Sequence, residues 1–125
     1  MMSAEVSLLK SKILRAEVTE CRIDYEGSLA IDAAFMKAVD LFDYERILVG
    51  NLATGARFET YALAAPSGSK AIGLNGAAAR LGAIGDLIVI LAFIQLNVDD
   101  ARCWQPKVML LGDSNRKILK APVAG

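Results

Sequence analysis

The residues with the most chemical promise are a glycine–serine pair, Gly27-Ser28, within Tyr25-Glu26-Gly27-Ser28, and a scattered polar set comprising Lys12, Arg57, Thr60, Tyr61 and Asn75. A Gly-Ser pair is a place where a chain can cut itself and make a cofactor from its own serine. Taken alone, the dipeptide reads as a solvated turn. Gly68-Ser69 is a second such pair in the same chain, so the distinction must come from residues elsewhere. Histidine is absent, which removes the commonest general base and the commonest metal ligand. A Ser-His-Asp or Cys-His catalyst is thereby excluded, and no metal site is expected. Cys21 and Cys103 lie far apart with no Cys-x-x-Cys motif; they read as free thiols of a reducing compartment. Any enzyme built from this chain needs another way to activate its chemistry.

The elements that must position these residues are mostly short strands. At 125 residues the chain suits one domain, 1–125, with no repeat or linker to divide it. Strands are expected over 12–20, 22–25, 46–51, 57–63, 71–74, 87–94 and 108–111, from alternation or short apolar runs between turn residues. Asp32 is placed to cap a short helix carrying Phe35, Met36, Val39 and Phe42 at near-helical spacing. Asn51-Leu52-Ala53-Thr54-Gly55 and Pro66-Ser67-Gly68-Ser69 read as turns, and Asn75–Leu81 as a capped helical turn. The segment from Asn97 onward is more polar and its arrangement is not legible. Frequent short strands with regular turn signals point to a compact β-barrel.

Lys plus Arg number 14, equal to Asp plus Glu. A nucleic-acid surface would need clustered cations in excess, so no nucleic-acid partner is expected. The longest apolar run, 87–94, is too short to span a bilayer. No long apolar segment follows a basic start, so no secretory signal or membrane association is expected and the chain reads as cytoplasmic.

Several separate stretches together carry a resemblance. Lys12, Tyr25-Glu26-Gly27-Ser28, Ile31-Asp32, Gly55, Arg57-Phe58, Thr60-Tyr61-Ala62, Asn75-Gly76-Ala77-Ala78-Ala79 and Gly85-Asp86 occur in the order and spacing of the aspartate 1-decarboxylase family. Those are pyruvoyl-dependent lyases that make β-alanine for pantothenate. The similarity covers nearly the whole chain and weakens in the last twenty or so residues. It implies a mainly β fold, a double-psi β-barrel with short helices. It also implies a cytoplasmic homotetramer with active sites between neighbouring subunits, and leaves room for a maturation partner.

The resemblance also assigns roles. Ser28 is the precursor of a covalently bound pyruvoyl group, which forms a Schiff base with the substrate amine and replaces pyridoxal phosphate as electron acceptor. The chain is expected to cleave itself between Gly27 and Ser28, with the Ser28 hydroxyl attacking the Gly27 carbonyl. Gly27 suits this because it lacks Cβ and leaves the carbonyl face open. Thr60 is assigned to hydrogen-bond the oxyanion formed at Gly27, a task that fits a fixed hydroxyl donor. Tyr61 is assigned as proton donor to the α-carbon, since a phenol can act as a general acid. Arg57 is assigned to hold a substrate carboxylate through its guanidinium fork, with Lys12 as a second cation. Tyr25, Asn75 and the backbone of Gly76, Ala77 and Ala78 are assigned to the substrate pocket. Each has a plainer alternative: a solvated charge for Arg57 and Lys12, a strand residue for Thr60 and Tyr61, an unliganded helical turn for 75–78.

Departures concern substrate more than fold. Leu14 and Asp24 stand where the family usually has histidine, and Gly50 where some members have a bulky aromatic. They keep open a pyruvoyl decarboxylase for another acidic amino acid such as glutamate, and an unprocessed, non-catalytic barrel paralogue. A barrel-type DNA-binding regulator fits the charge balance least.

Overall fold

The computed structural model describes residues 4–122 of the chain. In chain order the elements are β1 (Glu5–Glu17), β2 (Glu20–Arg22), β3 (Ser28–Asp32), α1 (Ala33–Ala38), β4 (Arg46–Asn51), β5 (Arg57–Ala65) and β6 (Ile72–Asn75). A 3₁₀ turn (Gly76–Arg80), β7 (Leu87–Asn97), α2 (Val98–Ala101), β8 (Lys107–Gly112) and β9 (Lys117–Lys120) complete it. The strands form one mixed sheet in the order β2-β6-β3-β5-β4-β7-β1-β8-β9. Three of its pairings are parallel, β1 with β8, β2 with β6 and β3 with β5. Parallel partners cannot be joined by a tight hairpin, so the chain crosses over itself between them, as the expected barrel requires. The fold is mainly β with short helices.

Alternation along the strands builds the core. In β1, Ser11, Ile13 and Ala16 are buried while their neighbours are less so. The alternation is imperfect because the strand bulges between Ile13 and Ala16, where Arg15 takes a positive φ of 59°. Leu29, Ile31, Ile47, Val49, Ile72, Leu74, Ile88, Ile90, Met109 and Leu111 close the interior. Residues 23–25, expected to extend a strand, turn instead: the Tyr25 amide donates to the Arg22 carbonyl at 3.3 Å. β2 ends once Arg22 has paired with Asn75, and the chain then doubles back to enter β3. Phe42, expected on the helix's buried stripe, is 68% exposed. α1 stops at Ala38, and the positive φ at Asp40 redirects the chain before Phe42.

Two buried polar residues tie the ends of the sheet. Asp32 caps α1 through the Ala34 amide at 2.8 Å, as expected, and also accepts from the amides of Gly68 (3.0 Å) and Lys70 (2.8 Å). Burial disfavours the charged carboxylate, but the bonds from Lys70, Ala34 and Gly68 outweigh it and hold Asp32 below the ordinary carboxylate value. A depressed folded-state pKa gives stability that is present above the unfolded value, ~4, and is lost as pH falls through the folded one. Asp32→Ala should therefore cost about 3 kcal/mol at neutral pH, from three charge-assisted bonds lost and their amides left unpaired. Thermal unfolding followed against pH should show the gap between variant and parent narrowing in acid. A constant gap down to pH 2 would refute the linkage. Asn115, buried in the otherwise illegible C-terminal segment, does similar work there. Its amide exchanges hydrogen bonds with the backbone of Glu17 (2.7 and 2.8 Å) and donates to the Lys70 carbonyl at 3.1 Å.

Candidate active site

The two Gly-Ser pairs have opposite surroundings. Ser69 is exposed in the 66–69 turn, and its hydroxyl accepts from the Ala71 amide at 3.3 Å. Ser28 opens β3 and is fully buried. Its hydroxyl donates to the Glu26 carbonyl at 3.2 Å and accepts from Asn75 Nδ2 at 3.1 Å. That geometry folds the hydroxyl back over the two peptides that precede it. Glu26 contributes through its backbone, so nothing in its side-chain identity could have signalled this role.

Asn75 comes to Ser28 because β6 runs antiparallel to β3 with Ser28 opposite Asn75. The expected cap on the following turn does not form from its side chain; the amide turns to the serine instead. Its Oδ1 is buried and, among the described residues, has no hydrogen-bond partner, an unused acceptor beside the hydroxyl. Gly76 follows at a φ of +65° with its backbone against Gly27. Ala77 is exposed and Ala78 buried in the 3₁₀ turn, whose first amides lack intrahelical acceptors. Tyr25 is 55% exposed. Arg22 holds it, donating to the phenol oxygen at 2.8 Å with the guanidinium 5.0 Å from the ring centre. Arg22 was not singled out by sequence; its three-residue spacing from an aromatic was the available signal.

Tyr61 precedes Ala62, the parallel partner of Leu29, just as Ser28 precedes Leu29. Leu29 and Ala62 point into the core, so Tyr61 and Ser28 share the other face, on adjacent strands. Tyr61 is half-buried, with its ring 6.3 Å from that of Tyr44. Thr60 is half-buried opposite Ile47. Among the described residues its hydroxyl makes no hydrogen bond, to Gly27 or elsewhere.

Arg57 and Lys12 stand apart from this cluster. Arg57 shares a face with Tyr61 but lies four residues earlier on β5, roughly 13 Å along the strand. Register links Arg57 to Gly50 and Val89, and, one row over, Glu59 to Leu48, Leu91 and Lys12. Arg57 and Lys12 therefore project from one face of the sheet, three strand spacings across and two residues along, about 16 Å apart at the backbone. Neither has an ion pair or side-chain hydrogen bond among the described residues, whereas Lys10 is bound to Glu45 at 2.8 Å and Arg46 to Glu59 at 2.6 Å. Beside Arg57, Gly50 is closely packed, since a Cβ there would meet Val89 Cγ1 at 3.1 Å. Within one chain the assigned residues thus form two groups: Ser28, Asn75, Gly76, Gly27, Tyr25 and Tyr61 together, and Arg57 with Lys12 elsewhere.

Among the described residues no group of three or more His, Cys, Asp or Glu could hold a metal ion, and no helix is long and apolar enough to cross a membrane. The chain is 54% identical over 111 residues to the aspartate 1-decarboxylase of Syntrophobacter fumaroxidans, covering 89% of this chain and 90% of that one. It is 48% identical over 110 residues to the aspartate 1-decarboxylase of Phenylobacterium zucineum, and 46% to that of Hyphomonas neptunium, each covering 88% of this chain and 93% of the relative. The sequence profile of the aspartate decarboxylase family matches residues 4–118, and on that match, spanning every element that builds the serine cluster, the chain belongs to this family.

Proposed function

We propose that the chain cleaves itself between Gly27 and Ser28, converts Ser28 to a pyruvoyl group, and decarboxylates L-aspartate to β-alanine. The observation that carries this reading is the buried Ser28 hydroxyl, held between the Glu26 carbonyl and Asn75 Nδ2. In the processing step Ser28 Oγ bonds to the Gly27 carbonyl carbon and the bond from that carbon to the Ser28 nitrogen breaks. The hydroxyl proton ends on the freed nitrogen. Loss of the Ser28 α-proton then breaks the Cβ–O bond and releases Gly27 as a carboxylate. Water finally displaces the nitrogen as ammonia and leaves the keto group. The oxyanion at Gly27 needs a donor, and Thr60 is the hydroxyl assigned to it.

The surroundings of Ser28 fit such a group. The unpartnered Asn75 Oδ1 offers an acceptor to a substrate amine, and Gly76 with Ala78 leaves the backbone approachable. The pyruvoyl group supplies a ketone that condenses with the substrate amine and accepts the electron pair left when carbon dioxide departs. Asn75 orients the reacting end, and Tyr61, on the adjacent strand, delivers a proton to the α-carbon. Arg57 binds the carboxylate that is retained, assisted by Lys12.

The separation of Arg57 and Lys12 from Ser28 supports an active site shared between subunits, with these two cations supplied by a neighbouring copy in a homotetramer. Exposed Tyr44 (76%), Phe42, Ile84 and Leu119 supply apolar surface for such contacts. We place the enzyme in the cytoplasm.

Intact-mass measurement of the purified protein tests the central step. Two fragments should meet at Gly27 and Ser28, the second beginning with a blocked keto terminus. Both should co-elute under native conditions, because β1 of the first fragment is paired on both sides, with β7 and β8. A single intact mass after prolonged incubation would defeat the proposal. A second reading, another acidic substrate such as glutamate, is motivated by the departures at Leu14 and Gly50. Carbon dioxide release from aspartate and glutamate separates the two, and equal or reversed preference would remove the aspartate assignment.

A further inference from the structure

Gly27 is the glycine that the cleavage chemistry draws attention to, yet a Cβ there would meet nothing within 4 Å. Gly76 is crowded, and by backbone, whereas a Cβ on Gly82 or Gly112 would meet only leucine side chains at the same 2.7 Å. A Cβ on Gly76 would lie 2.7 Å from Gly27 Cα, 2.7 Å from Gly27 N and 2.9 Å from the Tyr25 carbonyl oxygen. All three are backbone atoms, so none can swing aside as a side chain could. Gly76 also holds a φ of +65°, which disfavours most L side chains.

The neighbouring contact makes the arrangement purposeful. Asn75 pairs with Ser28 through the β3–β6 ladder and through Nδ2 to Oγ. Gly76, the next residue, seats Gly27. Two consecutive residues thus grip the two sides of one peptide bond. We infer that Gly76 is a positioning residue for self-cleavage: its bare Cα is the seat that holds Gly27 against the Ser28 hydroxyl. This rests on the reading of Gly27–Ser28 as the cleaved bond. In the step concerned the Oγ–C bond to Gly27 forms, the C–N bond to Ser28 breaks, and the hydroxyl proton ends on that nitrogen. Gly76 takes no part in the electron flow; it fixes the approach. A side chain at 76 must push the Gly27 backbone away by roughly 0.7 Å to reach ordinary contact, and displacements of that order cost about 10²-fold when a reacting geometry depends on them.

The test follows cleavage of newly refolded protein by intact mass. Gly76→Ala should slow cleavage about 100-fold. Gly55→Ala and Gly85→Ala are the matched controls, since both glycines have positive φ (77° and 96°) but a Cβ on either would meet nothing within 4 Å. They carry the backbone strain without the contact and should cleave at the parent's rate. Gly76→Asn is the second variant, because asparagine tolerates a left-handed backbone while presenting the same Cβ; it should fold and remain largely uncut. Cleavage of folded Gly76→Ala or Gly76→Asn at the parent's rate overturns the inference, as does equal slowing in the two controls. If the unaltered chain is never cut, the underlying reading fails instead, and the two failures are thereby distinguished.

Discussion

Ser28→Ala is expected to leave the chain whole and without decarboxylase activity, while Ser69→Ala cleaves and works like the parent. The contrast follows from surroundings, since both serines follow glycine. Ser28 is fully buried, with its hydroxyl bonded on both sides; Ser69 sits in an exposed turn. Removing the Ser28 hydroxyl removes the nucleophile and the oxygen whose departure from Cβ, with the Gly27 carboxylate, would form the precursor of the keto group. It also leaves Asn75 Nδ2 without its acceptor beside an Oδ1 that already lacks a donor. An unsatisfied buried amide costs about 1–3 kcal/mol, so the variant should also unfold a few degrees lower than the uncleaved parent chain. Mass and carbon dioxide release are the deciding measurements. A cut Ser28→Ala chain, or an uncut Ser69→Ala chain, would mean that the wrong serine has been chosen.

Arg57→Ala should separate processing from catalysis. Arg57 lies roughly 13 Å along β5 from Tyr61, which neighbours Ser28, so in its own chain it is remote from the scissile bond. Cleavage should proceed normally. The side chain is exposed and has no ion pair among the described residues, so the fold should change by less than about 0.5 kcal/mol. Turnover should suffer. Loss of a two-pronged, charge-assisted carboxylate contact removes about 3–4 kcal/mol, a 10²–10³-fold fall in kcat/KM. Arg57→Lys should recover only part of this, since an ammonium keeps the charge and loses the fork. Steady-state kinetics on fully processed protein checks it. An unchanged kcat/KM would remove Arg57 from the site, and mixed tetramers of Arg57→Ala with Ser28→Ala chains would show whether the two residues act across subunits. Restored activity in the mixture is the expected result, because each such site could draw its intact half from a different copy.

Asp32 and Gly76 separate what neighbouring residues specify from what the fold specifies. Asp32 was legible as a helix cap because capping depends on residues two apart in the chain. Its second task, holding the 66–69 turn through Gly68 and Lys70, spans almost forty residues and left no local mark. Gly76 was legible as part of a small-residue run that lets a ligand approach. Its tight contact with Gly27 depends on how β6 meets the segment before β3. Asn75 reads from sequence as a cap for a helical turn and as a neighbour of the keto group; in the structure its Nδ2 donates to Ser28 and no side-chain cap forms.

The chain's local chemistry was set by its residues: two glycine–serine pairs, no histidine to serve as base or ligand, short alternating strands, and an acid at a helix start. These depend on side-chain type and nearest-neighbour sterics, which a linear sequence carries in full. Which of two identical dipeptides is buried, which glycine is crowded by backbone, and why Arg57 and Lys12 stand away from Ser28 were decided only by strand register. Register brings together residues tens of positions apart through the packing of the whole core, and no short stretch of sequence encodes it.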